Sequence, residues 1–209
     1  PDVSLPEWLI EQLPEGGRVG FDPWLHTVAE VERWTHALKD TAITMVQCDN
    51  LVDRIWPDQP APPMRPVKAH PLEFAGESAS GKCSRLAEVL RNAGHRAAVI
   101  TLPDSIMWLL NIRGSDIARN PVAHGFAILH DDARVDLFMD AAKLDSVRDH
   151  LDETVGICSP NGFLDALTAL DGPVRIEKTS APQKLADVLG AAVAYGDDPC
   201  ALPKARKNK

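Results

Sequence analysis

The chain has 209 residues, of which 44% are hydrophobic and 25% charged, and a formal net charge of −8 at pH 7. These proportions describe a globular protein with a core to bury and exclude a disordered chain. The scattered negative charge argues against a nucleic-acid partner, which needs a basic face for its phosphates, and no apolar run reaches the roughly 20 residues of a membrane span. Basic residues cluster only at the end, in Lys204, Arg206, Lys207 and Lys209, which read as a solvated linker. Cys48, Cys83, Cys158 and Cys200 are widely spaced, without a C-x-x-C pair. They suit reduced thiols and a cytoplasmic location, with Cys158 as a small core residue.

Ser4 and Glu7 spell a capping box with Pro6 in the first turn, so residues 4–14 are expected to be helical, with Trp8, Leu9 and Leu13 on the apolar side. Gly16-Gly17 ends this helix and Arg18–Phe21 makes a short strand. Thr27 and Glu30 spell a second capping box, opening a helix to about Lys39 with Val28, Val31, Trp34 and Leu38 on one face; residues 42–47 are then a strand. Strand, helix and strand in this order make a parallel crossover, and two strands alone cannot cover both faces of their sheet. Residues 1–56, with one or two helical turns from Asn50 to Trp56, are therefore expected to be the C-terminal part of a first α/β domain. Residues 57–71 contain Pro57, Pro60, Pro62, Pro63, Pro66 and Pro71, which forbid helix and sheet ladder and make an extended linker.

Residues 72–198 are expected to form a complete second α/β domain. A helix runs from Lys82 to Ala93 with Leu86, Val89 and Leu90 inward and Gly94 as its stop. After a strand over 97–102, Pro103 breaks the ladder and Asp104 caps a short helix to about Asn111, buried by Ile106, Trp108, Leu109 and Leu110. Gly114 provides a tight or left-handed turn, and Arg113, Ser115, Asp116, Arg119 and Asn120 make a polar loop held on that apolar plug. Gly125–His130 and Arg134–Phe138 form a hairpin around Asp131-Asp132-Ala133. Helices over 142–151, 163–170 and 181–189 alternate with strands over 155–158, 174–176 and 191–195. Alternation plus one hairpin implies a three-layer α/β/α mixed sheet covered on both faces. Residues 199–209 are a linker.

Gly76 to Cys83 nearly spells the phosphate loop G-x-x-x-x-G-K-[ST], but Cys83 replaces the hydroxyl that would hold Mg²⁺ and no clean strand precedes it. A polar loop opening the next helix, with Ser78 or Ser80 as cap, is preferred. The seven histidines, His26, His36, His70, His95, His124, His130 and His150, form no metal-ligand motif, and Asp131-Asp132 and Asp197-Asp198 read as solvated turns. No catalytic residue and no metal ligand is assigned within the chain. The segment from Arg113 to Asn120 serves either recognition, by presenting a guanidinium, or fold closure, with Arg113 paired to Asp116 and Asn120-Pro121 as a turn.

Four stretches in order carry a family resemblance: Asn50-Leu-Val-Asp-Arg-Ile-Trp56, His70-Pro-Leu-Glu-Phe-Ala-Gly76, Trp108-Leu-Leu-Asn-Ile-Arg-Gly-Ser-Asp116 followed by Asn120-Pro121, and Pro199-Cys-Ala-Leu-Pro-Lys-Ala-Arg-Lys-Asn208. Together they resemble the first two domains of three-domain Xaa-Pro aminopeptidases (aminopeptidase P), and the resemblance implies a fold of the creatinase/prolidase N-terminal-domain type. The resemblance implies a fragment whose metal-binding catalytic domain would follow residue 209, with two divalent ions, Mn or Zn, bound there and no cofactor in this chain. It implies a parent that removes an N-terminal residue preceding proline, through two metal ions and a metal-activated water. The partners expected are the parent's catalytic domain, its peptide substrates and a second copy in a homodimer. The substrate-pocket residues it points to are Asn111, Arg113, Asp116 and Asn120. The competing class is a stand-alone α/β binding or assembly module without peptidase activity.

Overall fold

The computed structural model describes residues 3–206, and its first helix starts where the sequence places a capping box. In α1, Leu5–Gln12, the Glu7 carboxylate accepts the Ser4 backbone N–H at 2.9 Å. Leu9 is buried and, with Leu13, joins Leu38 and Ile43 in a small core. Trp8, expected on that side, is 50% exposed, because the stripe through positions 9 and 13 passes beside it. Strand β1, Gly17–Phe21, pairs in parallel with β2, Ile43–Gln47, through the capped helix α2, Val28–Leu38. The short α3, Leu51–Ile55, follows, its Asn50 side chain accepting the Val52 N–H at 2.9 Å.

Two units emerge, one of residues up to Ala61 together with Lys178–Asp187, the other of Pro62–Glu177 together with Val188 onward. The two-stranded unit is thus extended by chain from far downstream. Val28 and Ala29 donate their N–H groups to the carbonyls of Ala181 and Lys178, at 3.1 and 2.9 Å, and Gln183 donates to His26 at 2.8 Å.

In the second unit, β3, Lys68–Ala69, pairs antiparallel with residues 112–113, so the proline-rich stretch does carry a sheet ladder. Both residues lie between Pro66 and Pro71 and keep their N–H groups, while Val67 is completely buried. Next come α4, Leu72–Ala75, and α5, Ala79–Asn92, which starts one turn earlier than expected because Ser78 accepts the Gly81 N–H at 3.1 Å. Leu86 and Leu90 face inward as expected, but Val89 is 43% exposed. Then follow β4, Ala97–Ile100; α6, Pro103–Leu109; β5, Ile112–Arg113; β6, Phe126–His130; β7, Val135–Phe138; a 3-10 helix, Ala141–Val147; β8, Val155–Cys158; α7, Phe163–Thr168; β9, Val174–Ile176; α8, Gln183–Leu189; β10, Val193–Tyr195; and α9, Ala201–Ala205.

Six of these strands form a mixed sheet in the order β10-β9-β4-β6-β7-β8, with the expected β6–β7 hairpin antiparallel and the two edges parallel. Every residue of β4 is buried, which requires cover on both faces. Ala98, Ile100, Ala127, Leu129, Val135 and Leu137 alternate onto one face, in the core that contains Leu86, Leu90, Ile106 and Leu109. Phe126 and Phe138 alternate onto the other, where the Phe163 ring of α7 stacks on Phe126 at 4.4 Å. The α/β/α mixed-sheet fold expected from the sequence is therefore present.

Candidate functional site

The site is built on α6 and the loop after it. Pro103 is the first residue of α6 rather than the breaker before it, since a helix start needs no N–H there. Asp104, displaced from the cap, instead accepts a 2.5 Å hydrogen bond from Lys204 of α9. Ile106, Met107 and Leu109 are fully buried and anchor the helix, whereas Trp108 is only partly buried. Asn111 then takes a left-handed conformation at φ 52°, which turns the chain into β5. Gly114 is needed for space rather than for handedness: a Cβ there would lie 2.4 Å from the Ala123 backbone nitrogen.

Three of the four expected pocket residues line two cavities that share Arg113, with Asn120 in one and Asn111 in the other. Asn111 is buried; its amide donates to the Glu77 carbonyl at 2.8 Å and its oxygen accepts from Lys82 Nζ at 2.6 Å. Arg113 is half-buried and donates through Nη1 to the carbonyls of Ile112 and Met107, at 2.8 and 3.3 Å. Asn120 is exposed and lines a cavity of about 250 Å³ together with Arg113, Trp108 and Lys204. Asp116 lines neither that cavity nor its neighbour. Its side chain is completely buried in an ion pair with Lys143 and accepts the His124 N–H at 2.8 Å. The local Arg113–Asp116 pair considered from the sequence is absent: each side chain has other partners. Burial pushes the Asp116 carboxyl up, but the Lys143 hydrogen bond, the His124 N–H and the Lys143 charge outweigh it and hold the pKa below its usual value.

A second cavity of about 250 Å³ shares Arg113, Trp108 and Lys204 and adds His70, Lys82 and Arg206. Sequence reasoning missed Lys82 as a buried group. Its side chain leaves the phosphate-loop look-alike and turns inward, donating to the Trp108 carbonyl at 2.8 Å and lying 4.4 Å from the centroid of that tryptophan's ring. The available signal was helical spacing, since 82, 86 and 90 fall on one stripe. Burial depresses the Lys82 pKa to about 8, with Arg113 adding to the fall and Glu77 opposing it. Burial likewise lowers His70, reinforced by Arg113 and Lys82. The terminal basic cluster is partly structured as well, because Lys204 also reaches Ser105 Oγ at 3.0 Å; Lys207 and Lys209 lie outside the described residues. Asp198, read as solvated, is buried and accepts from Ser105 Oγ at 2.5 Å. Cys158 is only partly buried.

Among the described residues, no three or more His, Cys, Asp or Glu side chains gather so as to hold a metal ion. No described helix is long and apolar enough to cross a membrane.

Comparison with known proteins gives one consistent picture. Residues 58–209 match the family model described as the creatinase/prolidase N-terminal domain. A probable Xaa-Pro aminopeptidase P of Coccidioides posadasii is 40% identical over 168 residues, covering 78% of this chain and 27% of that protein. Aminopeptidase P1 of Arabidopsis thaliana is 40% identical over 145 residues, 68% of this chain and 22% of its own length. The chain thus spans about a quarter of the length of these curated relatives. The crystal structure of X-prolyl aminopeptidase from Caenorhabditis elegans, described as a cytosolic enzyme with a di-nuclear active site, superposes with a TM-score of 0.90 at 29% identity, over 99% of this chain and 35% of that one. The donor set of the described residues offers no seat for such a di-nuclear group.

Proposed function

The chain belongs to the creatinase/prolidase N-terminal domain family, and from that premise we propose that it is the non-catalytic N-terminal and middle region of a metal-dependent, cytoplasmic Xaa-Pro aminopeptidase. In this reading residues 1–56 are the end of a first domain, 57–71 a linker, 72–198 the middle domain and 199–209 the approach to a catalytic domain that binds two divalent ions. The region shapes substrate access to that domain and takes part in dimerisation. Asn111, Arg113 and Asn120 would border the substrate entrance, while Asp116 holds the loop in place.

The observation that supports the reading is the likeness of 99% of this chain to 35% of the nematode enzyme, and in this chain the loop on α6 faces two cavities. A site on so buried a helix is held rigidly enough to position a ligand.

The test compares the 209-residue chain with the product of the longer reading frame, using Xaa-Pro peptides with added Mn²⁺ or Zn²⁺. The longer protein is expected to release the first residue and the chain alone to release none. Chelator-sensitive turnover by the 209-residue chain would overturn the assignment. A reading frame without metal-ligand motifs beyond residue 209 would favour the stand-alone module.

A further inference from the structure

We propose that the cavity between α4, α5, α6 and the end of α9 is a carboxylate-binding pocket. The proposal goes beyond the aminopeptidase reading and stands on the pocket's own chemistry.

The ionisable side chains lining this space of about 250 Å³ are His70, Lys82, Arg113, Lys204 and Arg206, with no carboxylate among them. One of the four fixed cations is neutralised: Lys204 is held by Asp104 at 2.5 Å. Lys82, 1% exposed, has a carbonyl and an amide oxygen as its partners, and no carboxylate. Glu77, the acidic group closest in sequence to this lysine, is engaged by Arg85 at 2.7 Å. Arg113 uses Nη1 on two backbone carbonyls, leaving Nε and Nη2 without a partner among the described residues. Isolated buried cations are costly, and proteins pair them or bind an anion against them.

The lining selects the class of anion. A guanidinium presents a planar fork that matches carboxylate and phosphate alike, so the apolar lining is what favours the carboxylate of an organic acid. Trp108 and Phe74, also in the lining, offer apolar surface for the carbon skeleton behind it. Two sources share this chemistry: the free acid of a peptide or small organic acid, and an acidic side chain from another part of a longer protein. Burial holds the pKa values of Lys82 and His70 down, and a carboxylate bound beside them would raise both.

The experiment titrates the 209-residue protein with sodium benzoate, inorganic phosphate, Ala-Pro-Ala as the free acid, and Ala-Pro-Ala amide. Calorimetry gives affinity and the His70 imidazole resonances give its pKa. Benzoate is expected to bind and to raise the His70 pKa by half a unit or more. Arg113→Gln should weaken binding roughly tenfold or more, as befits the loss of a charge-assisted hydrogen bond. Arg206→Gln, at an exposed position, provides a second variant that does not disturb the core. It should weaken binding by a smaller factor. Tighter binding of the peptide acid than of benzoate, with none of the amide, identifies a peptide carboxylate as the source. Equal binding of both acids, lost in the longer protein, identifies an internal acidic side chain. Phosphate binding as tightly as benzoate overturns the carboxylate assignment. Failure of benzoate and of the peptide acid to bind at 10-millimolar levels or to move the His70 resonances, all in about that range, overturns the pocket itself. None of these outcomes depends on peptidase activity.

Discussion

Charge is buried in two places around the loop from Asn111 to Asn120, and the two places do it differently. At Asp116 the fold supplies the counter-charge: Lys143 is 4% exposed and the carboxylate wholly buried against it. At Lys82 and Arg113 the fold supplies carbonyl and amide dipoles but no carboxylate. A buried charge is therefore not in itself a functional signal. The signal is a buried charge whose neutralising partner is absent from the same fold.

The sharpest way to break this contrast is to remove one member of the neutralised pair. Lys143→Met leaves the Asp116 carboxylate buried and unpaired, with Oδ1 already lacking a partner among the described residues. Urea unfolding should show a loss of about 3–5 kcal/mol, the usual cost of breaking a buried pair from one side. A loss below about 1 kcal/mol would mean that the pair does not hold the loop.

The two places should also differ in sign with pH. Asp116 has a folded pKa below its unfolded value, so its contribution is present above the unfolded pKa and is lost as pH falls through the folded one. Lys82 is depressed from 10.5 to about 8, so between these values the unfolded chain binds more protons and stability rises with pH. Cys83, raised to about 12 mainly by burial, acts in the opposite direction above 9.0, so the comparison must be made against Lys82→Met. That variant loses a buried cation but orphans two acceptors, and should lie within about 1 kcal/mol of the native protein at pH 7. From pH 8 to 10.5 the native protein should gain on it by up to about 3 kcal/mol, converting the shift at 1.36 kcal/mol per unit. A flat difference curve would show that burial does not lower the Lys82 pKa.

Much of the fold was legible because it rests on local signals. The capping boxes at Ser4 and Thr27, the stop at Gly94 and the turn at Asp131-Asp132 all act within a few residues of themselves. Alternation from 126 to 138 fixed the hairpin and its facing. What was not legible depends on distant partners. Lys143 lies 27 residues beyond Asp116, and Lys204 lies 100 beyond Asp104. No spacing rule connects them, so the sequence alone leaves Asp116 beside the pocket residues and Lys204 in a solvated tail. Lys82 is the exception, because the spacing of 82, 86 and 90 on one helical stripe is a local signal for its burial.

The smallest expected effect on stability belongs to Arg113, and it carries the most functional information. Arg113→Gln removes two partly buried hydrogen bonds to carbonyls, those of Ile112 and Met107, but breaks no ion pair. It also relieves a guanidinium whose pKa is lowered by burial. The two changes oppose each other, so the melting temperature should move by only a few degrees, roughly what 1 kcal/mol produces in a chain of this size. If Arg113 borders the substrate entrance of a longer aminopeptidase, the same variant should reduce kcat/KM for Xaa-Pro peptides about tenfold or more while unfolding nearly as before. A melting temperature lowered by more than about 10 °C with kcat/KM unchanged would place Arg113 with Asp116, as part of the frame rather than the site. Kinetics and melting must be read on the same preparation, because only their ratio separates a side chain that meets a ligand from one that holds the loop.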